Sequence, residues 1–383
     1  MNSPTDLYIG LMSGTSADAI DAALVKVSKL HIRLVSTYNI PIEPNIRSAI
    51  HQLALTNSGE IDQMRYLDNA IAHLSCAAVE ALCKQAKIKK TAIRAIGSHG
   101  QTIRHYPPSA TGQGYSLQVS DPNIIAEMTG ITTVADFRRR DIAADGQGAP
   151  LASGFHRAAF HSDENNRTIV NIGGIANITH LSKQGDVIGF DTGPGNALMD
   201  SWFQRHYQGA FDRNGSWAAS GDIDTKLLEC LLQNKFLSLP IPKSTGREDF
   251  NLPWLQEKLT MSLPTTTAAD IQATLLALTV ESIASHIQQV DPLNQSEVYI
   301  CGGGSHNRQL MRNLTLRLQP RSVETTMVLG TDPDWVEAIA FAWLARQTLQ
   351  GLAGNIPSVT GARRETVLGG IYLGSGNSAT GCT

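Results

Sequence analysis

The sequence lacks several features that would assign it to common protein classes. Its 383 residues contain no run of about 18 apolar residues, and the N-terminal segment has no basic region followed by a cleavage site. A net charge of -3 and a pI near 6.4 argue against a nucleic-acid binder, since the only dense cationic run is Arg138 to Arg140. We therefore expect a cytoplasmic protein with no membrane or nucleic-acid partner.

Cysteine is also scarce. Five cysteines are an odd number without metal-ligand spacing, and a chain of this size does not need disulfides to fold. Cys76 and Cys83 stand seven residues apart in an alanine-rich helical segment, so they share one face of the helix. The pattern favours reduced thiols that are buried as small hydrophobic groups.

Two familiar phosphate-binding motifs are missing, because no segment matches G-x-x-x-x-G-K-[ST] or a G-x-G-x-x-G placed between a strand and a helix. Three other glycine-rich turns are present. Small residues let backbone N–H groups approach a phosphate chain closely, although a single glycine turn between strands is usually only a turn. The turns are Ser13-Gly14-Thr15-Ser16, Asp191-Thr192-Gly193-Pro194-Gly195-Asn196 and Gly302-Gly303-Gly304.

Apolar patterning predicts two similar three-stranded meanders, each with a glycine turn after its first strand. The two copies do not align residue for residue, so the repeat is architectural. The predicted meander strands are residues 7–12, 20–27 and 32–42, then 169–172, 175–181 and 187–190. Further strands are predicted at 93–97, 131–135 and 298–301, and helices at 61–87, 122–129, 196–207, 223–234, 268–290, 307–318 and 335–349.

This order of elements resembles the actin, Hsp70 and sugar-kinase superfamily. The resemblance implies an α/β chain with a two-lobed actin-like ATPase (ribonuclease H-like) fold and ATP in the cleft between the lobes. We expect residues 1–135 with a C-terminal strand region at 360–383 to form the first lobe, and residues 136–359 to form the second.

Seven motifs in order make the resemblance more specific. From about residue 8 to about residue 370, the sequence is similar to the anhydro-N-acetylmuramic acid kinase family. The motifs are Met12-Ser13-Gly14-Thr15-Ser16 with Asp18 and Asp21, Gly97-Ser98-His99-Gly100-Gln101-Thr102, Ala135-Asp136-Phe137-Arg138, Gly146-Gln147-Gly148-Ala149-Pro150, Asn171-Ile172-Gly173-Gly174-Ile175-Ala176-Asn177, Phe190-Asp191-Thr192-Gly193-Pro194-Gly195-Asn196 and Asp334-Trp335-Val336-Glu337-Ala338.

The resemblance implies an enzyme of cell-wall recycling. ATP, water and 1,6-anhydro-N-acetylmuramic acid would give N-acetylmuramic acid 6-phosphate and ADP, with Mg²⁺ assisting and a homodimer as the expected assembly. Two alternatives stay open at this point. One is an ordinary sugar kinase without ring hydrolysis, and the other is a non-enzymatic actin-like assembly protein.

Asp191 is the predicted catalytic residue, because it ends a strand and opens a small-residue turn. The resemblance implies that it deprotonates the attacking water. From the residues alone, it is also consistent with an N-cap for the following helix or with a carboxylate that holds magnesium through water.

Asp18 and Asp21 flank the first glycine turn and are predicted to contact the sugar or a hydrated magnesium ion, with solvated turn acids as the alternative. The family pattern there is Leu-Asp-Gly, whereas this chain has Ala17-Asp18-Ala19. A second departure is Asp145, where the family usually has glycine.

Four more residues are predicted to bind the substrate. His99, Asp136 and Arg139 are assigned to the sugar and its lactyl carboxylate, with Arg139 as the carboxylate fork. His99 is equally consistent with a histidine that bonds backbone at a strand end, and Arg138 and Arg140 are expected to face solvent. Glu337 is a predicted sugar contact by resemblance, although a helix dipole explains an acid there equally well.

The nucleotide-binding residues predicted by resemblance lie in the glycine turns. Backbone groups at the turns would hold the phosphates, and the last turn would lie under adenosine. They are Ser13, Gly14, Thr15, Ser16, Gly173, Gly174, Gly193, Gly195, Asn196, Gly302, Gly303, Gly304 and Asn307.

Overall fold

The computed structural model describes residues 6–14, 16–28, 31–55, 60–108, 112–246, 249–260 and 266–377. The chain forms two compact units: unit 1 comprises Met1–Ala159 and Trp335–Thr383, and unit 2 comprises Phe160–Asp334. The expected boundaries at residues 135 and 360 differ from this division. Residues 136–159 and 335–359 belong to unit 1, because the helix at 336–349 packs on the first strands of the chain.

Unit 1 is built on a sheet that has six strands among the described residues. The strand order is β13-β7-β4-β1-β2-β3. β1 pairs antiparallel with β2, and β2 with β3, whereas β1, β4 and β7 are mutually parallel. The strands are β1 (Asp6–Met12), β2 (Ala19–Val27), β3 (Ile32–Pro41), β4 (Ile93–Ser98), β7 (Thr133–Ala135) and β13 (Gly370–Tyr372), with a separate hairpin of β5 (Gln101–Tyr106) and β6 (Tyr115–Val119).

Helices cover this sheet because β1 is buried over most of its length and needs apolar partners. One long helix packs on β2 and β3, and a helix from the C-terminal part of the chain packs on β1, β2 and β4. The helices of unit 1 are α1 (Pro44–Leu55), α2 (Glu60–Ala86), α3 (Pro122–Thr129), α4 (Phe137–Ile142), α5 (Ala152–Phe160), α11 (Val336–Leu349) and α12 (Pro357–Thr360).

Unit 2 repeats the arrangement with a sheet of five strands in the part of the chain that the structure describes, in the order β10-β9-β8-β11-β12. The first three strands are antiparallel, and β8, β11 and β12 are parallel. The strands are β8 (Arg167–Ile172), β9 (Ile175–Leu181), β10 (Val187–Pro194), β11 (Glu297–Cys301) and β12 (Val323–Thr325). The helices are α6 (Ala197–His206), α7 (Thr225–Leu232), α8 (Leu252–Leu259), α9 (Ala268–Val290) and α10 (Arg308–Arg317).

Each unit contains five strands in the same sheet order, β3-β2-β1-β4-β7 in unit 1 and β10-β9-β8-β11-β12 in unit 2, in which the second strand of the meander is antiparallel to both neighbours. Unit 1 adds β13, which pairs antiparallel with β7 at the sheet edge. The shared five-strand order is the ribonuclease H-like topology, so the predicted fold class is confirmed. The two meanders are the first three strands of each sheet, as the sequence predicted.

The core of unit 2 lies around α9, which contacts β9, β10, α6, α7 and α10. The helix begins after Thr267, whose hydroxyl accepts a hydrogen bond from the Asp270 N–H while the Asp270 carboxylate accepts one from the Thr267 N–H. Such reciprocal capping stabilises a helix start by about 1 kcal/mol. In the described residues, none of the helices combines the length and apolar character that a membrane span needs.

The cysteine prediction is confirmed where it can be checked. Cys76 and Cys83 are both buried on α2, and burial raises the pKa of the Cys76 thiol to about 11. A thiol with so high a pKa is protonated at neutral pH and unreactive.

Candidate active site

The first glycine turn joins β1 to β2 in unit 1. The Ala17 N–H donates to the Gly14 carbonyl at 3.0 Å, and the Ser13 hydroxyl donates to Gln101 Oε1 at 2.6 Å. A Cβ at Gly14 would meet only the Ser16 hydroxyl, 4.0 Å away. Packing within the chain therefore does not require glycine at this position, whereas close approach of a ligand would. Thr15 lies outside the described residues.

Ala17 and Ala19 differ in backbone conformation. Ala17 has φ 51°, in the left-handed region that costs a non-glycine residue about 1–2 kcal/mol. Ala19 begins β2 with extended backbone, which alanine adopts without strain. The departure from the family's glycine at residue 19 is thus tolerated.

The predicted sugar acids beside this turn have partners within the chain. Asp18 forms an ion pair with Arg47 of α1 at 2.8 Å, and Asp21 Oδ1 accepts a hydrogen bond from the Asn39 amide at 2.6 Å. Asp18 is about half exposed, so its ion pair is weak and open to exchange with another ligand.

Three of the predicted residues follow the parallel strands of unit 1. Ser13 follows β1, His99 follows β4 and Asp136 follows β7, so all three lie at the carboxyl edge of the same sheet. Ligands of open α/β sheets bind at this edge. The sequence motifs that were far apart in the chain are thus brought to one edge.

His99 is buried and bonded to Arg138. Arg138 Nη2 donates to His99 Nε2 at 2.8 Å, and Arg138 Nη1 donates to the Gly148 carbonyl at 2.7 Å. Burial, together with the positive charge of Arg138, lowers the pKa of His99 to about 3. The expectation that Arg138 faces solvent is wrong, since its guanidinium ties a neutral His99 to the loop at 144–150.

Asp136 and Arg139 bind each other. Arg139 Nε lies 2.8 Å from both carboxylate oxygens of Asp136, which raises the pKa of the guanidinium. Asp136 also has φ 61°, a left-handed conformation that is unusual outside glycine. The predicted carboxylate fork therefore holds a carboxylate of its own chain, and a substrate carboxylate would have to compete with Asp136.

Two glycines of the sheet allow the helix that carries Glu337 to lie close to the same edge. A Cβ at Gly10 would lie 1.7 Å from the Ala338 carbonyl oxygen, and one at Gly97 would lie 2.0 Å from that of Phe341. Because only glycine allows this approach, α11 lies directly on β1 and β4. Phe341 lies one helical turn after Glu337, and the centroid of its ring is 4.7 Å from that of the His99 ring. Glu337 thus stands in the first turn of a helix that is packed against the sheet.

The loop at 144–150 is anchored by buried Asp141. Its carboxylate accepts hydrogen bonds from the Gly148 N–H at 2.8 Å, the Asn355 amide at 2.7 Å and the Thr360 hydroxyl at 2.8 Å. Asp145 has φ 67° and pairs with Arg363. A left-handed backbone explains why glycine is usual here and why aspartate, which tolerates that conformation, replaces it.

In unit 2, the second glycine turn is closed by its own hydrogen bonds. The Asn196 N–H donates to the Gly173 carbonyl, and the N–H groups of Gly195 and Ala197 donate to the Gly174 carbonyl, at 2.8–3.1 Å. A Cβ at Gly195 would lie 2.3 Å from the Gly173 oxygen. The amides of Gly195 and Asn196 are thus already engaged, so the geometry gives no support to their predicted role as phosphate donors.

The triple glycine shows the same division between packing and open positions. Gly302 has φ 79° and Gly304 touches the Ile172 side chain, so both are required by the fold. At Gly303 a Cβ would meet only the Asn196 amide, 3.9 Å away. Asn307 caps α10 through the Leu310 N–H at 3.1 Å. Among these four residues, Gly303 is the one that leaves room for a ligand.

Asp191 lies within β10, which continues beyond its predicted end at Phe190 to Pro194. The carboxylate is 6% exposed, and its Oδ2 accepts a hydrogen bond from the Thr245 N–H at 3.0 Å. The Asp191 N–H donates to the Lys243 carbonyl at 3.1 Å. Asn196, and not Asp191, occupies the N-cap of α6, so the alternative of a helix-capping role is wrong.

Lys243 is a residue that sequence reasoning missed. It is 4% exposed, and burial lowers the pKa of its ammonium to about 8, against the opposing charge of Asp191. A single lysine after a proline carries no signal of burial, because only the fold places it beside Asp191. In the described residues no group of three or more His, Cys, Asp or Glu side chains is arranged to hold a metal ion.

Comparison with known proteins gives a consistent result. The family model of anhydro-N-acetylmuramic acid kinase matches residues 6–374. An anhydro-N-acetylmuramic acid kinase of Xylella fastidiosa is 48% identical, covering 96% of this chain and 97% of that protein. One from Shewanella woodyi is 47% identical, covering 96% and 98%.

Among solved structures, the activator of 2-hydroxyisocaproyl-CoA dehydratase from Clostridium difficile with bound ADPNP matches at 13% identity with a TM-score of 0.44. The match covers 91% of this chain and 99% of the activator chain. Its TM-score and sequence identity are too low to inform on function. The match of the family model over nearly the whole chain, together with relatives near 47% identity, decides the assignment. The chain belongs to the anhydro-N-acetylmuramic acid kinase family, and it is a phosphotransferase with an alcohol group as acceptor.

Proposed function

We propose that this kinase couples two bond changes in 1,6-anhydro-N-acetylmuramic acid. Water attacks C1, the bond between C1 and O6 breaks, and O6 takes the γ-phosphoryl group of ATP. The attacking water gives its proton to a base, and the products are N-acetylmuramic acid 6-phosphate and ADP. The observation that supports this proposal is the buried, backbone-held carboxylate of Asp191.

Asp191 is the proposed general base. The Thr245 N–H donates to one carboxylate oxygen, which orients the other lone pairs of the group. A base positioned in this way contributes about 10²–10⁴-fold to the rate. Burial keeps its charge from being screened by bulk water.

The sugar is proposed to contact unit 1 at the carboxyl edge of its sheet. Arg139 would exchange Asp136 for the lactyl carboxylate, because both carboxylates fit the same guanidinium face. Glu337 would accept hydrogen bonds from sugar hydroxyls. Asp18, Asp21 and His99 complete the proposed set, with neutral His99 acting as part of the wall of the site and not as an acid.

ATP is the phosphoryl donor of this kinase family, and its phosphates are proposed to meet the glycines that have room. Gly14 in unit 1, and Gly173 and Gly303 in unit 2, leave space where a Cβ would fit. The other predicted nucleotide residues support these positions. They are Ser13, Thr15, Ser16, Gly174, Gly193, Gly195, Asn196, Gly302, Gly304 and Asn307.

Mg²⁺ belongs to the proposal as the ion that accompanies ATP. It keeps several waters and is held mainly by phosphates, so the two carboxylates of Asp18 and Asp21 fit it without a cluster of protein ligands. Bound there, it would neutralise charge on the transferred phosphoryl group. We further propose a cytoplasmic homodimer as the working form.

The decisive experiment uses ¹⁸O water. The protein is incubated with ATP, Mg²⁺ and the anhydro sugar, and the product is examined by mass spectrometry. Label at C1 supports the coupled reaction. Phosphorylation with the anhydro ring intact would point to an ordinary sugar kinase, and nucleotide-dependent polymerisation without sugar-dependent ADP release would point to an assembly protein.

Asp191→Asn tests the base. Turnover is expected to fall by about 10²–10⁴-fold, because an amide cannot accept the proton of water, while the dissociation constant of ATP stays nearly unchanged. Asp186→Asn, at an exposed turn residue of the same unit, is the matched control and should behave as wild type. Normal turnover of Asp191→Asn would refute the assignment.

A further inference from the structure

Lys243 is bonded through all three of its ammonium hydrogens. Nζ donates to the Phe236 carbonyl at 3.0 Å, to the Leu237 carbonyl at 2.9 Å and to His286 Nε2 at 2.8 Å. His286 Nδ1 lies 2.6 Å from the Ser282 carbonyl and Nε2 lies 3.2 Å from the Leu237 carbonyl; we assign the ring proton to Nδ1, which has the shorter contact, so that Nε2 accepts from the ammonium. The lysine is therefore held as a cation by one side chain of α9 and by the short helix at Lys235–Ser238.

The segment that contains Lys243 covers the edge of the sheet in unit 2. β10 is an edge strand of the described sheet, and residues 243–245 bond to it at Asp191. The Lys243 carbonyl accepts from the Asp191 N–H, and the Thr245 N–H donates to the Asp191 carboxylate. The backbone on both sides of Ser244 thus fixes the proposed base.

We infer that Lys243 is a positioning residue for Asp191: its ammonium anchors residues 243–245, and the backbone of this segment in turn fixes the Asp191 carboxylate. The inference rests on the proposed role of Asp191 as the base. It adds that Lys243 sets the protonation of Asp191 without touching the reacting atoms. No part of this role follows from the fold alone, because a buried apolar residue would cover β10 equally well.

The charges around the pair agree with this role. Removing an ammonium from the neighbourhood of a carboxylate raises the carboxylate's pKa, because the ionised form loses its favourable partner. Among the residues that the structure describes, two other titratable groups face the segment: His286 of α9, whose pKa burial lowers so that it stays neutral, and Asp249, which accepts a hydrogen bond from the Thr245 hydroxyl at 2.6 Å. Lys243 is the described cation whose charge interacts with Asp191 from this side.

The test is the pH profile of kcat/KM for Lys243→Met. Lys235→Met, at an exposed lysine of the short helix at Lys235–Ser238, is the matched control. The acid limb, which reports Asp191, is expected to move to higher pH by about one unit in Lys243→Met and to stay in place in Lys235→Met. The KM for ATP should not change. An unmoved acid limb in folded Lys243→Met would overturn the inference.

A second pair of variants covers the case in which Lys243→Met does not fold. His286→Leu removes one acceptor of the Lys243 ammonium, whereas His286→Gln retains an acceptor there. The alkaline limb of the pH profile reports loss of the ammonium proton of Lys243. It should therefore move to lower pH in His286→Leu and return to its wild-type position in His286→Gln. Equal profiles for both would also overturn the inference. If Asp191→Asn is inactive but these profiles do not move, the proposed function stands and only the role of Lys243 fails. If Asp191→Asn is fully active, the base assignment itself fails.

Discussion

The two sheets have the same strand order, but their third strands meet different surroundings. β3 in unit 1 and β10 in unit 2 are both edge strands. β3 alternates between half-buried and exposed residues along its length, whereas β10 is buried at almost every position, Asp191 included. α9 and the short helix at Lys235–Ser238 pack on β10, and Lys243 and Thr245 bond to it.

The comparison shows how one topology yields two kinds of surface. In unit 1 the polar residues follow the ends of the parallel strands β1, β4 and β7, where carboxyl edges offer room for a ligand. In unit 2 the proposed catalytic carboxylate lies within an antiparallel edge strand and depends on a separate covering segment. The proposed sugar contacts and the proposed base thus lie at different positions of the repeated topology.

The largest expected effect tests how unit 1 is covered. Gly97→Ala would place a Cβ 2.0 Å from the Phe341 carbonyl oxygen, a backbone atom that cannot rotate away. We expect the free energy of unfolding to fall by about 3 kcal/mol or more, measured by urea denaturation. Hydrogen exchange should show loss of protection in β1, β4 and α11, with α9 unaffected. A loss below about 1 kcal/mol would contradict the close packing of α11.

Acid is expected to act more strongly on unit 1. Burial lowers the pKa of His99, His105 and His156, all in unit 1, to about 3. Below about pH 6.5 these histidines bind protons in the unfolded chain but stay neutral in the folded chain. The free energy of unfolding therefore falls as the pH falls from about 6.5 toward 3, by about 1.4 kcal/mol per pH unit for each histidine.

His156→Gln isolates one of these groups. It should reduce the slope of unfolding free energy against pH by about 1.4 kcal/mol per unit between roughly pH 4 and 6. Denaturation series at several pH values give the slope, and His73→Gln, at an exposed histidine of α2, provides the control. Equal slopes for wild type and His156→Gln would show that His156 is not held neutral.

The open glycines allow a matched test in the two units. Gly14→Ala and Gly303→Ala meet no close atom, so each should change the free energy of unfolding by no more than about 0.5 kcal/mol. If phosphates approach these backbones, each variant should raise the KM for ATP about tenfold. Unchanged KM in both variants would remove the glycine turns from the nucleotide site, and a change in only one would assign the contact to that unit.

The smallest effect is expected at the loop of unit 1. Asp145→Gly accepts φ 67° without strain but loses the exposed pair with Arg363, so the midpoint of urea unfolding should hardly move, within about 0.5 kcal/mol. Asp145→Ala loses the pair and keeps the strain, so it should be less stable than the glycine variant by about 1 kcal/mol. The reverse order of stability would contradict the backbone argument.

Much of the fold was predictable from local signals. α9 was predicted with its observed bounds from its apolar sequence, and α3 ends at residue 129 as predicted, where the following Gly130 has the left-handed conformation of a C-cap. The hairpin of β5 and β6 and the short helices α1, α4 and α5 were missed. The strands β5 and β6 show little alternation of apolar and polar residues, and α4 has only six residues.

The site was predictable in its residue types but not in its contacts. Family motifs identified Asp191, His99 and Asp136, and the structure places the last two at one sheet edge. The half-buried position of Arg138 and the burial of Lys243 could not be predicted, because cationic side chains are usually exposed and the sequence does not identify their partners. Arg138 bonds to His99, 39 residues away, and Lys243 bonds to His286, 43 residues away, although Gly148, Phe236 and Leu237 are nearer partners in sequence.

The position of α11 has a consequence for biosynthesis. During translation, β1 and β4 emerge more than 200 residues before the helix that seals Gly10 and Gly97. Residues 160–334 form a unit that is continuous in sequence, so unit 2 is able to complete its core on the ribosome before α11 of unit 1 has been synthesised. Release of a chain truncated before residue 335 would therefore leave the N-terminal sheet uncovered and prone to aggregation, although most of the protein had been made.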